Sequence, residues 1–402
     1  MLGGRHTTVT VDGKYNKLRI VLVALCVVIA LVCFGFGISS LVSTEAGWQA
    51  VQITSDKINC SADFTLQYDF SAAGAEASFV NKAISELYGK ATEDAYTLFY
   101  REGELKKLNS APNTEVTVDP VLYKALQLVH ESGNRSLYLG PVCVEYDRVF
   151  AASEETEAMW YDPAHQPEKA EYVAQIAAYA QDEQSIDLQL LGDNRVKLVV
   201  SQAYLDFAQA NGIESFLDFG WMKNAFITDY IADILVENGY TCGFLASIDG
   251  FTRNLDSRGK SFSLNLFDRL ENTVYRAAVL QYDKPMSLVY LRNYPLSNAD
   301  SRSYFSFADG TIATSYFDCT DGQSRSATDN LVSYSENAGC AQIALQCGGL
   351  FAAGELDEAA LRALSDTGIE SIWFTATKLN TTDKDATVLL AEEGTAAGYH
   401  MD

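Results

Sequence analysis

The sequence predicts a mixed helix-and-strand domain, built on an α/β core unit and carried behind one N-terminal transmembrane helix. Three observations predict it. Residues 216–253, FLDFGWMKNAFITDYIADILVENGYTCGFLASIDGFTR, read in order as a turn, a helix, a turn and a strand. Residues 20–41, IVLVALCVVIALVCFGFGISSL, form an uncharged apolar run of about bilayer-spanning length. The chain has 402 residues, 48% hydrophobic and 11% aromatic, which is enough for one large domain or two ordinary ones with a sizeable core.

In the central stretch, Asp218 and Gly220 stand where a chain enters a helix. Apolar pairs then recur on one face: Phe226 with Ile227, Tyr230 with Ile231, Ile234 with Leu235. Asn238-Gly239 stops the helix, because glycine takes the left-handed position without a Cβ penalty. Residues 242–248 are short, apolar and strand-like, and end at the turn dipeptide Asp249-Gly250. A helix start beside a strand end can form an anion-binding pocket, or can simply be an α/β core unit.

Taken from the N-terminus, residues 1–19 hold Arg5, Lys14, Lys17 and Arg19 against Asp12, a formal +4 − 1 = +3. The whole chain carries −24, so the remainder carries −24 − 3 = −27. Such a surface repels phosphate backbones, which argues against general nucleic-acid binding. Basic residues precede the apolar run and Glu45 and Asp56 follow it. Positive-inside orientation then makes 1–19 a cytoplasmic N-terminus, 20–41 a retained single-pass anchor in the cell membrane, 42–57 a juxtamembrane connector and 58–402 an extracytoplasmic domain. A cleaved signal peptide is the alternative, although the run exceeds a usual signal core and no A-x-A site follows it. Eight cysteines include Cys26 and Cys33 within the run; Cys60, Cys143, Cys242, Cys319, Cys340 and Cys347 lie beyond it without a C-x-x-C spacing. Outside the cell these six can be disulfides or buried thiols.

Within the outer domain, residues 60–70 alternate as a strand, and residues 75–88 form a helix with Phe79, Ala83, Ile84 and Leu87 on one face. Residues 116–130 read as a short strand and then a helix with Pro120 in its first turn. Residues 168–182 form a helix, and 186–200 a hairpin turning at Gly192-Asp193-Asn194. Strands follow around 262–266, 275–282 and 288–294, then a helix and strand over 358–374 whose first acids are Asp357 and Glu358. His130 and His165 read as core or surface histidines. The four histidines make no H-x-x-x-H pair and no G-x-S-x-G is present, so zinc catalysis and hydrolase triads find no support.

Several segments, in order, resemble the FAD:protein FMN transferases, the ApbE-like family. Asp218-Phe219-Gly220-Trp221-Met222-Lys223-Asn224-Ala225-Phe226 is similar to that family's D-L-G-G-I-A-K-G-Y, with Asn224 at the Lys position and Lys223 beside it. Ser247-Ile248-Asp249-Gly250-Phe251 is similar to N-I-G-G-N, with Asp249 in place of Gly. Glu104-Leu105-Lys106-Lys107-Leu108-Asn109 follows S-E-L-S-R-L-N, and Ile312-Ala313-Thr314-Ser315-Tyr316 follows I-A-T-S-G. The family's H-I-I-D-P-x-T-G loop and its A-D-A-x-A-T helix have no counterpart between Ser324 and Phe351.

The resemblance spans roughly residues 58–375. It implies an α+β fold with mixed sheets and packed helices, holding a flavin nucleotide in a cleft beside the central helix. It also implies transfer of FMN from FAD to a threonine of an acceptor protein, with FAD and Mg²⁺ as cofactors. On that basis Lys223 and Asp229 are the catalytic candidates. Asn109, Asp218, Gly220, Asn224, Asp249, Gly250, Thr314 and Ser315 are the cofactor-binding candidates, and no residue is assigned to the metal. Three readings stand: a diverged transferase acting on secreted or membrane redox proteins, a non-catalytic flavin- or partner-binding module, and a membrane-tethered structural domain.

Overall fold

A computed structural model describes residues 47–53, 59–297, 300 and 302–401. The transmembrane run 20–41 lies outside the described residues; among those described, no helix is long and apolar enough to cross a membrane.

An eight-stranded sheet forms the middle layer, and every pairing in it is antiparallel. Its strands in spatial order are β1 (Trp48–Ala50), β2 (Phe64–Asp69), β6 (Gly243–Ser247), β7 (Phe251–Asn254), β10 (Met286–Arg292), β13 (Asn330–Ser335), β14 (Glu370–Thr375) and β15 (Lys378–Thr381). Three small sheets surround it: β3 (Glu115–Thr117) with β5 (Arg195–Val200) and β4 (Ile186–Gly192); β8 (Phe262–Leu270) with β9 (Thr273–Tyr282) and β16 (Thr387–Leu390); and the hairpin of β11 (Tyr304–Ser306) and β12 (Ile312–Thr314). Four helices matter most for the site: α1 (Ala77–Phe99), α2 (Gly140–Ala151), α3 (Lys223–Glu237) and α4 (Cys340–Phe351).

Period-2 alternation sends the central strands' side chains into two cores. Val289, Leu291, Leu331 and Trp373 join the larger core under α1, α3 and α4, whereas Leu288, Tyr290, Val332, Ile372 and Phe374 join a smaller one under β8 and β9. All six β13 residues are buried, as a strand covered on both faces requires. The molecule is therefore three layers deep across β10, β13 and β14: helices, main sheet, small sheet.

The helix expected over 75–88 runs on to Phe99, through Gly89. The stripe Ala91, Thr92, Ala95, Leu98 and Phe99 is buried, and that burial outweighs the ~1 kcal/mol a mid-helix glycine costs. The strand expected from Cys60 starts only at Phe64, after a 3-10 turn over Ser61–Asp63. Pro120 does open a helix, Pro120–Ser132, capped by Asp119 Oδ1 accepting from the Val121 amide at 2.8 Å. The hairpin of β4 and β5 turns at the predicted triplet, with Asp193 and Asn194 both at positive φ, 50° and 59°, the geometry that matches strand twist.

Candidate functional site

The cleft is built where the turn between β6 and β7 meets the start of α3. A 3-10 turn, Gly220–Met222, leads into α3. Asp218 Oδ1 accepts from the Gly220 amide at 2.8 Å, which sets the entry angle. Asn109 stands behind this loop. Its Oδ1 accepts from the Phe216 amide (3.0 Å) and the Leu217 amide (2.8 Å), and its Nδ2 donates to the Leu217 carbonyl (3.0 Å). Gly250, at φ +103°, forms the turn between β6 and β7, and a Cβ there would lie 2.3 Å from the Tyr290 carbonyl oxygen. Only glycine allows that approach.

The resulting cavity is about 310 Å³. α3 and its lead-in contribute Asp218, Gly220, Trp221, Lys223 and Asn224; the β6–β7 turn contributes Ile248 and Asp249. Tyr100 and Arg101 follow the end of α1, and Cys143, Asp147 and Phe150 come from α2. Asp63 precedes β2, and Arg302, Ser303, Ser315 and Phe317 flank the β11–β12 hairpin. Two larger cavities, about 580 and 530 Å³, open on the outer side of Arg101 along residues 211–215. The smaller cleft is the candidate site, because the sequence-predicted polar residues converge there.

Every carboxylate in the cleft is already engaged. Arg101 Nε donates to Asp218 (2.7 Å) and its Nη2 to Asp147 (2.6 Å). Arg302 Nη1 donates to Asp63 (2.6 Å), which also accepts from the Tyr100 hydroxyl (3.3 Å). Asp249 Oδ2 accepts from Asn224 Nδ2 (2.9 Å) and its Oδ1 from the Ser247 hydroxyl (2.5 Å). Burial pushes the Asp249 carboxyl up to about 6, against the lowering effect of Ser247 and Asn224 and with a further push from Asp63. The Lys223 ammonium rests 3.8 Å above the centre of the Tyr100 ring, a cation–π contact. Trp221 lies against Tyr316 (centroids 5.3 Å) and across Gly348 of α4, where a Cβ would come within 2.4 Å of the indole.

Of the candidates, Asp218, Gly220, Lys223, Asn224, Asp249 and Ser315 line one cavity. Asn109 and Gly250 shape its walls from behind. Thr314 is buried and turned away: its Oγ1 and amide meet the Ser324 hydroxyl at 3.0 and 2.8 Å. Asp229 lies further along α3, where its Oδ1 and Oδ2 accept from the Cys340 and Ala341 amides (2.9 and 2.8 Å) and Arg253 Nη1 donates to it (2.7 Å). It caps the N-terminus of α4 rather than lining the cleft. Sequence reasoning missed Asp63, Tyr100, Arg101, Trp221 and Arg302 as site residues. Arg101 immediately follows a helix-end tyrosine and precedes the Glu104–Asn109 motif, which was the one local signal available.

A magnesium ion needs several oxygen ligands in near-octahedral geometry. Among the described residues no group of three or more His, Cys, Asp or Glu side chains is arranged to hold a metal. The cleft carboxylates are committed to arginines, an amide and hydroxyls, and the inward residues of α4 are Cys340, Ile343, Ala344 and Cys347, buried among apolar groups. Holding magnesium through one or two carboxylates and a substrate phosphate would require one of these pairings to open.

No family model and no curated protein matches this chain. Solved structures do. A flavin transferase ApbE from Vibrio cholerae superposes with a TM-score of 0.54 at 11% identity, covering 88% of this chain and 99% of that one. A point mutant of the same Vibrio protein gives 0.55 at 13% identity, covering 87% and 99%. An ApbE protein from Thermotoga maritima gives 0.51 at 13% identity, covering 83% and 94%. The chain has the fold of these proteins, an α+β fold.

Proposed function

We propose that this chain, sharing the flavin-transferase fold over most of its length, is a membrane-anchored extracytoplasmic binding module that holds a flavin-type ligand without transferring it. Its anchor is the apolar run 20–41. One observation carries the reading: Asn224 and Asp249, which stand where the resembling enzymes have Lys and Gly, are hydrogen-bonded to each other at 2.9 Å on the cleft floor. Splitting a pyrophosphate requires positive charge, from a metal or a cation, at the oxygens where charge develops. This floor supplies an amide and a carboxylate instead.

The competing reading, a working transferase, is favoured by the Lys223 ammonium at the cleft wall. A titration of the purified protein with FAD and FMN, with and without Mg²⁺, separates the two. Saturable flavin binding indifferent to Mg²⁺, with no covalent flavin appearing on a threonine-bearing acceptor peptide, is the expected result. Binding that tightens with Mg²⁺, together with a flavin-labelled acceptor, would restore the transferase. Failure of every flavin to bind would leave a structural domain.

A further inference from the structure

The cleft's charges and its floor point to a ligand class narrower than flavins in general; the argument rests on the cleft being a flavin-type site. The cavity is lined by Asp63, Asp147, Asp218 and Asp249 and by Arg101, Lys223 and Arg302, a formal 3 − 4 = −1. The cations are not idle. Arg101 spends both ends on Asp218 and Asp147, Arg302 is paired with Asp63, and Lys223 is stacked on Tyr100. A phosphate entering here would find Lys223 as the one lining cation not held by a carboxylate and would still face a net negative wall, within a chain carrying −24. At about 310 Å³ the cavity also sits at the small end of the ~300–1,000 Å³ usual for ligand sites, room for a single ring system with the rest of a larger ligand left outside.

The floor offers hydrogen bonds to an uncharged partner. Asn224 is 6% exposed and its Oδ1 is buried with no hydrogen-bond donor. Such an orphan acceptor is costly unless a donor arrives. Asp249, which Asn224 holds through Nδ2, is half-buried at the cavity wall; beyond Asn224, Ser247 and its own backbone amide, its two oxygens retain acceptor capacity. Trp221, Phe150 and Phe317 bring flat aromatic groups to the same space, surfaces on which a planar ring can stack.

We propose that the cleft selects an uncharged, planar heterocycle bearing an N–H donor over its phosphorylated forms, with Asp249 accepting that N–H and Asn224 positioning Asp249. Riboflavin, FMN and FAD share the ring and differ in charge and size, so they are the natural probes. Fluorescence titration of the full-length protein in detergent micelles should rank riboflavin tightest, with FMN and FAD weaker by about tenfold or more. In the isosteric Asp249→Asn variant the gap between riboflavin and FMN should shrink, because one repelling charge is gone. In Asp249→Leu riboflavin itself should lose about tenfold or more, because the acceptor is gone. FAD or FMN binding as tightly as riboflavin to the unaltered protein would overturn the selectivity and leave the flavin-binding reading intact. An Asp249→Leu variant that keeps riboflavin affinity would overturn the assigned contact. Failure of all three to bind would remove both the selectivity and the reading beneath it.

Discussion

Asn109 shows how much of the site depends on a residue that never touches the cavity. Its amide closes three hydrogen bonds on the backbone of Phe216 and Leu217, all buried. Asn109→Ala would orphan two amides and a carbonyl in the interior, at a cost of about 3 kcal/mol or more. Asn109→Asp keeps an acceptor for both amides but sets an oxygen against the Leu217 carbonyl and buries a charge. Both variants should lower the urea midpoint below wild type, with ligand affinity falling in parallel as the Asp218 loop loosens. The Asp variant should recover part of its loss at a pH that protonates the new carboxyl. An Ala variant with an unchanged midpoint would show that the loop is held elsewhere. Asp229 follows the same logic in the other direction: a polar residue on the central helix, suggestive of chemistry in the sequence, closes two amides at the start of α4.

At the scale of elements, local signals were legible and long-range ones were not. Asp119-Pro120 announced a helix start, and Gly192-Asp193-Asn194 a hairpin, because caps and tight turns are determined by neighbours in the chain. The cleft needs partners far apart: Arg101 reaches Asp218 across 117 positions, and Arg302 reaches Asp63 across 239. Of the β11–β12 hairpin only the second strand was legible, through the resemblance at residues 312–315; its three-residue partner carries no long periodicity. Yet this hairpin brings Arg302, Ser303 and Ser315 to the cleft, and its far end is latched. His165 Nδ1 meets Asp162 at 2.5 Å and its Nε2 meets Asp309 in the hairpin turn at 3.1 Å. Phe307 packs on the imidazole (4.4 Å), and Glu155 accepts from the Ala308 amide (2.6 Å). Burial alone would lower the imidazole's pKa; the hydrogen bonds to Asp162 and Asp309 outweigh it and raise the pKa. A histidine raised in the folded state stabilises fully below its unfolded value of about 6.5, and the contribution disappears as pH rises through the folded value. Protection factors of the hairpin amides from hydrogen exchange should therefore fall on the alkaline side. In His165→Gln, which carries no titrating proton, they should be lower throughout and flat with pH. A flat profile in the unaltered protein would mean the hairpin is held by Phe307 and Glu155 alone.

For the whole molecule, periodicity made only part of the order of helices and strands legible: α2, α4 and β13 were not read from it, nor was the stacking of a small sheet on the outer face of the large one. Alternation in Leu288–Leu291 and Ile372–Phe374 says that both faces are covered, but not by what. Charge is the other whole-molecule property, and it bears on placement. The 19 residues ahead of the apolar run carry +3 and everything after them −27, an asymmetry from which the positive-inside preference would orient the proposed anchor. The described fold begins at Gly47, six residues after Leu41, so the proposed anchor would hold the domain close to the membrane. Epitope tags at the two termini test this directly. In intact cells stripped of any outer barrier, a tag after Asp402 should be reached by an impermeant antibody, and a tag before Met1 only after permeabilisation. Neutralising Arg5, Lys14, Lys17 and Arg19 together should erode that orientation. Loss of the N-terminal tag from the mature chain would identify the run as a cleaved leader. The reverse labelling pattern would place the acidic domain, and its cleft, in the cytoplasm.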